Sequence, residues 1–103
     1  MERQLEGLAR AGFQLLPAGF PTHYVIERDG LVALVEKRPD GSFGGIGAPG
    51  VLAGGEIAVL LWRGERPLLV SKGAERAAEA GEVEALRRFD AELRRILGGN
   101  LVF

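Results

Sequence analysis

The chain has 103 residues, with 13 basic and 14 acidic side chains for a formal net charge of −1, 47% hydrophobic residues and no cysteine. That is the composition of one ordinary globular domain, and it excludes disulfides, thiolate metal ligation and a cysteine nucleophile. The balanced charge provides no global positive field to draw the chain to nucleic acid.

The N-terminus, Met-Glu-Arg-Gln-Leu-Glu-Gly, is polar and acidic where a secretory signal needs a basic start and a long apolar run. The apolar runs Leu31–Val35 and Ile57–Trp62 are too short to span a bilayer. These features predict a cytoplasmic protein with no membrane association.

In chain order, Leu5, Leu8 and Ala9 recur at helical spacing before Gly12, which predicts a short amphipathic helix over residues 2–11. Phe13–Leu16 is a short strand candidate closed by Pro17. Tyr24–Glu27 and Leu31–Val35 flank Asp29-Gly30, the strongest short hairpin signal in the chain. Pro39-Asp40-Gly41 turns the chain again into a brief strand around Ser42–Ile46. Ile57–Trp62 and Pro67–Val70 form a further hairpin about Arg63–Arg66. Residues 74–79 read as the first turns of a helix, interrupted at Ala80-Gly81. Glu82–Leu97 is then a longer helix with an apolar stripe of Val83, Leu86, Phe89, Leu93, Ile96 and Leu97. Glu84/Arg88 and Asp90/Arg94 are favourable i,i+4 pairs on its other faces.

The expected fold class is α+β. A single antiparallel meander of five to six strands carries a short N-terminal and a longer C-terminal helix, in one domain over residues 1–103. The strands Leu31–Val35 and Ile57–Trp62 are apolar at every position instead of alternating, so both of their faces call for cover. Either each helix covers one face of the sheet, or a second subunit covers what the helices leave. A homodimer, or a complex with another protein, is the expected assembly, and Leu86, Phe89, Leu93 and Ile96 are the candidate interface residues.

Gly45–Gly50 spells G-x-G-x-x-G. A dinucleotide loop requires a buried strand before the glycines and a helix opening directly after them. Here a Pro-Asp-Gly turn precedes and more glycines follow, so residues 44–55 read as a mobile connection. His23 is the only histidine, which rules out a two-histidine site. No serine has the nucleophile-elbow context. Ser71-Lys72-Gly73, read as lying between a strand and a helix, is a generic anion site, with Ser71 as an N-cap in the simpler reading. Arg87, Arg88, Arg94 and Arg95 are interleaved with Glu84, Asp90 and Glu92, which favours a solvated ion-pair face over a nucleic-acid stripe.

One constellation carries more chemistry. Gly19–Ile26, the Asp29-Gly30 turn and Leu31–Val35 followed by Glu36-Lys37-Arg38 resemble the front half of restriction-endonuclease-like nucleases. The resemblance implies two carboxylates holding a divalent ion, with a lysine steadying the attacking water. The chain departs from that pattern where a first acid belongs, at Thr22 or Tyr24, and where Arg38 stands in place of the lysine.

The leading expectation is therefore a non-enzymatic binding domain that self-associates, with no cofactor, metal or catalytic residue assigned. Its candidate binding residues are His23, Glu36, Arg38, Ser71 and Lys72. The alternative is a metal-dependent or inactive nuclease-like domain around Glu36, with Asp29 or Asp40 as the remaining acid.

Overall fold

A computed structural model describes residues 2–16 and 21–98. The expectations for the tail 100–103 and for Gly19-Phe20 lie outside these residues. The described chain runs α1 (Glu2–Arg10), β1 (Gln14–Leu16), β2 (His23–Arg28), β3 (Leu31–Lys37), β4 (Phe43–Ile46), β5 (Gly50–Ala53), β6 (Glu56–Arg63), β7 (Arg66–Ser71), β8 (Ala74–Ala77) and α2 (Ala80–Leu97). All strands join one antiparallel sheet in the order β1-β2-β3-β5-β6-β7-β8, with β4 also paired to β3. The α+β class and the terminal helices stand, but there are eight described strands and not five to six.

The extra strands come from two places. The brief strand expected around Ser42–Ile46 is β4, but the glycine-rich residues after it, expected to be a mobile connection, also supply β5 over Gly50–Ala53. Residues 74–79, expected to be helical, form β8 over Ala74–Ala77, registered on β7 from Leu68↔Ala77 to Ser71↔Ala74. Ala-Glu-Arg-Ala prefers a helix locally, but a neighbouring strand edge offers a full ladder and outweighs that small preference. Ser71 consequently lies in a hairpin and does not cap a helix; the residue before α2 is Glu79.

Hairpin geometry follows the turn chemistry. Asp29 and Gly30 both have positive φ, 55° and 83°, as a two-residue primed turn demands. That turn pairs Arg28 with Leu31 and so sets the register back to His23↔Glu36.

Both helices pack on the same side of the sheet. Leu8 of α1 and Phe89 and Leu93 of α2 share one buried cluster with Phe13, Ile26, Ala33, Val35 and Phe43. Phe13 and Phe89 meet edge to face at 5.4 Å. Arg28 stacks over the Phe13 ring at 4.2 Å, donates to the Ala11 carbonyl at 2.9 Å and pairs with Glu92 at 2.8 Å. One guanidinium thus ties the end of α1, β2 and α2 together. The foreseen i,i+4 pairs Glu84–Arg88 (3.3 Å) and Asp90–Arg94 (3.0 Å) are present on α2.

The start of α2 is held by charge. Glu82 accepts from the Glu79 N–H at 2.9 Å and from both terminal nitrogens of Arg76 at 2.9 and 2.7 Å. The Arg76 bonds chiefly, and then the Glu79 N–H, pull the Glu82 carboxyl from about 4.5 down to about 2. A carboxylate depressed in the folded state stabilises fully above its unfolded pKa, and that contribution is lost as pH falls from about 4.5 to about 2. The site is largely solvated, so the effect is small. In thermal melts Glu82→Gln should lower Tm slightly near neutral pH, and the difference should vanish by about pH 2; a difference that persists in acid would place its origin elsewhere.

The sheet also forks. β4 and β5 lie end to end along β3, at Lys37↔Phe43 and Val35↔Ile46 for β4, and at Val32↔Gly50 and Leu31↔Val51 for β5. β6 follows β5 only as far as Gly50↔Val59, plus one bond from the Leu60 N–H to the Pro49 carbonyl at 2.9 Å. Beyond that point β6 pairs with β7 alone among the described strands. Among the described residues, no helix is long and apolar enough to cross a membrane.

Candidate functional site: the open face of the sheet

Strand alternation assigns every residue to one face. With α1 and α2 together on one side, the opposite face carries Leu34 of β3, Leu52 of β5, Ile57, Val59 and Leu61 of β6, and Leu68 and Val70 of β7. Neither α1 nor α2 packs on this face. On this face Val25, Val32 and Leu68 are nonetheless buried and Leu34, Ile57, Val59 and Val70 half-buried, while Leu52 and Leu61 remain 39% and 48% exposed. Leu34, Ile57 and Val59 line a groove of about 410 Å³ that ends at Glu56 and Lys72.

Charges frame the apolar strip unevenly. Glu27 and Glu36 lie on the β2–β3 side and Arg63 and Arg66 on the β6–β7 side. Arg63 pairs with Glu75 at 3.1 Å. A side-chain bond from Gln14, then the Gly30 N–H at 2.8 Å, hold the Glu27 carboxyl below its ordinary value.

The candidate binding residues separate into two groups. His23 and Glu36 are direct cross-strand neighbours at one end of the open face, with Arg38 close by in the following turn. The His23 Nδ1 lies 2.9 Å from the Thr22 hydroxyl. The Glu36 carboxylate folds over β4, accepts the Gly45 N–H at 3.2 Å, and occupies the space that a side chain at Gly44 would need. Ser71 and Lys72 sit at the other end, in the β7–β8 hairpin, with Ser71 directed to the helix side by its pairing with Ala74.

The acids of the nuclease-like alternative are also dispersed. Asp29 and Glu36 stand at opposite ends of β3, about 20 Å apart at the usual rise per strand residue. Asp40 instead accepts both the N–H (2.9 Å) and the hydroxyl (2.6 Å) of Ser42, and these bonds lower its pKa. Among the described residues, no three His, Asp or Glu side chains converge as metal ligands.

Of the candidate interface residues, Leu86, Phe89 and Leu93 are 1% exposed or less and belong to the chain's own core, while Ile96 is half-buried and would crowd any side chain added at Gly7. Among the described residues the exposed large apolar side chains are Leu52 and Leu61 on the open face, Leu15 and Trp62 on the other face of the sheet, and Leu5 on α1. The signal of the open face in the sequence is the pair of uninterrupted apolar runs, Leu31–Val35 and Ile57–Trp62; the exposure of Leu52 carries no such signal. No protein family, no curated protein and no solved structure matches the chain.

Proposed function

We propose that this chain is a non-enzymatic interaction domain that self-associates through the open face of its sheet. The observation that carries the reading is the placement of both helices on one face, which leaves Leu52 and Leu61 exposed and Leu34, Ile57, Val59 and Val70 only half-buried on the other. An apolar surface of this kind, rimmed by charge, is characteristic of a protein contact.

The rim charges favour a second copy as the occupant. A two-fold axis parallel to the strands lays the β2–β3 half of one copy against the β6–β7 half of the other. Glu36 then faces Arg63 and Arg66, which share its end of the sheet, and Asp29 faces Lys72 at the other end. Such a contact is self-complementary, as closed dimers require, and stacks the sheets with aligned strands.

The test is the mass in solution, by sedimentation or light scattering over a roughly hundredfold concentration range. The parent chain should move between monomer and dimer, and Leu61→Asp should be monomeric throughout with an unchanged far-UV spectrum, since this side chain is half exposed in the single copy. Glu36→Arg should weaken the dimer, and adding Arg63→Glu and Arg66→Glu should restore it. A parent chain that remains monomeric at the highest concentration refutes the reading.

A further inference from the structure

The fork between β4 and β6 presents a second surface, on the helix side and separate from the proposed dimer face. A cleft of about 370 Å³ opens there, with Pro49 at its base, Leu60 and Trp62 on the β6 arm, and Val83, Leu86 and Arg87 contributed by α2. Trp62 is 51% exposed.

The two arms differ in the backbone they offer. On β4, the Ile46 carbonyl is met by Arg94 at 3.4 Å, and Arg94 is itself held by both carboxylate oxygens of Asp90 at 3.0 Å. The β6 arm is open. The Leu60 N–H points toward β5, where it reaches Pro49, so by alternation the Trp62 N–H and carbonyl point the same way, past the end of the β5–β6 ladder. Pro67, opposite Trp62 on β7, agrees with this: its own carbonyl is turned to Ala78 on the far side, and it has no N–H to offer β6.

The charge is equally one-sided. Asp90 neutralises Arg94, whereas Arg87 makes no ion pair among the described residues. A free strand edge, an apolar cleft beside a tryptophan and one uncompensated guanidinium are the parts of a strand-addition site.

We propose that the fork binds an extended segment of an acidic polypeptide partner. Its backbone pairs with β6 at Trp62, one apolar side chain enters between Leu60 and Val83, and a carboxylate meets Arg87. Main-chain bonds supply affinity here, and the cleft and Arg87 supply selectivity.

The experiment uses the full chain, labelled with 15N, and two blocked peptides: acetyl-Thr-Val-Thr-Glu-Thr amide, whose Val and Glu lie two apart and so share a face of the strand, and the same peptide with Lys in place of Glu. The Glu peptide should shift the Trp62 amide and indole signals, slow exchange of the Trp62 amide, and bind severalfold tighter than the Lys peptide. Arg87→Glu, at an exposed helix position, should reverse that preference without loss of fold. Three results would each overturn the proposal: silence at Trp62 with millimolar Glu peptide, equal binding of both peptides regardless of Arg87, or Trp62 signals that move with protein concentration alone, which would assign the fork to a second copy. Leu61→Asp, on the opposite face, should leave peptide binding intact, so failure at the fork and failure of self-association are separable.

Discussion

Gly50→Ala is expected to destabilise the chain by about 3 kcal/mol or more, at the upper end for an inserted methyl group. Gly50 is buried in the middle of the sheet, where β5 passes from β3 to β6. A methyl group there would overlap the Ala58 carbonyl oxygen and stand 2.9 Å from its carbonyl carbon and 3.0 Å from the Val59 Cα. These are backbone atoms, so relief requires parting two strands and not rotating a side chain. For a domain of this size the loss corresponds to a fall in Tm of roughly 10–20 °C. Gly45→Ala is the control, because nothing lies within 4 Å of a methyl group at that site, and it should leave Tm nearly unchanged. Thermal melts of the two variants settle the matter: equal Tm values would mean that the approach of β5 to β6 is not tight.

Phe89→Ala should cost about 3–5 kcal/mol, the usual range for deleting a buried aromatic ring. The ring is 1% exposed and lies where both helices meet the sheet, edge-on to Phe13 and within one cluster with Leu8, Ile26 and Leu93. Its removal also takes away the neighbour that positions Phe13 beneath Arg28. Total stability of such domains is about 5–15 kcal/mol, so the variant should sit near the edge of folding. Urea unfolding should show a lower midpoint with an unchanged slope. A loss below about 1 kcal/mol would show that the helices are held to the sheet by other contacts.

Much of the basis for the proposed self-association is legible in the sequence. The two-residue Asp29-Gly30 turn dictates that partners on either side have numbers summing as Arg28 and Leu31 do, so it places His23 against Glu36 without further information. The runs Leu31–Val35 and Ile57–Trp62 indicate that both sheet faces need cover. The fork is not legible there, because it depends on β4 and β5 sharing one partner strand, which no local pattern announces. Trp62 therefore reads simply as one more member of an apolar run.

Local rules account for the terminal helices through their 3.6-residue stripes, for the hairpins through their turn residues, and for the α+β class through the order of these elements. Long-range packing decided three things that local rules leave open. It drew Ala74–Ala77 into the sheet against its helical preference, made Gly50–Ala53 of the glycine-rich stretch a strand between β3 and β6, and set α1 and α2 on the same face. Propensities are worth tenths of a kcal/mol per residue, whereas a strand ladder or a shared core such as that of Leu8, Phe89 and Leu93 is worth several. The choice between faces rests on contacts between α1 and α2, nearly the whole chain apart, and that choice leaves the opposite face open.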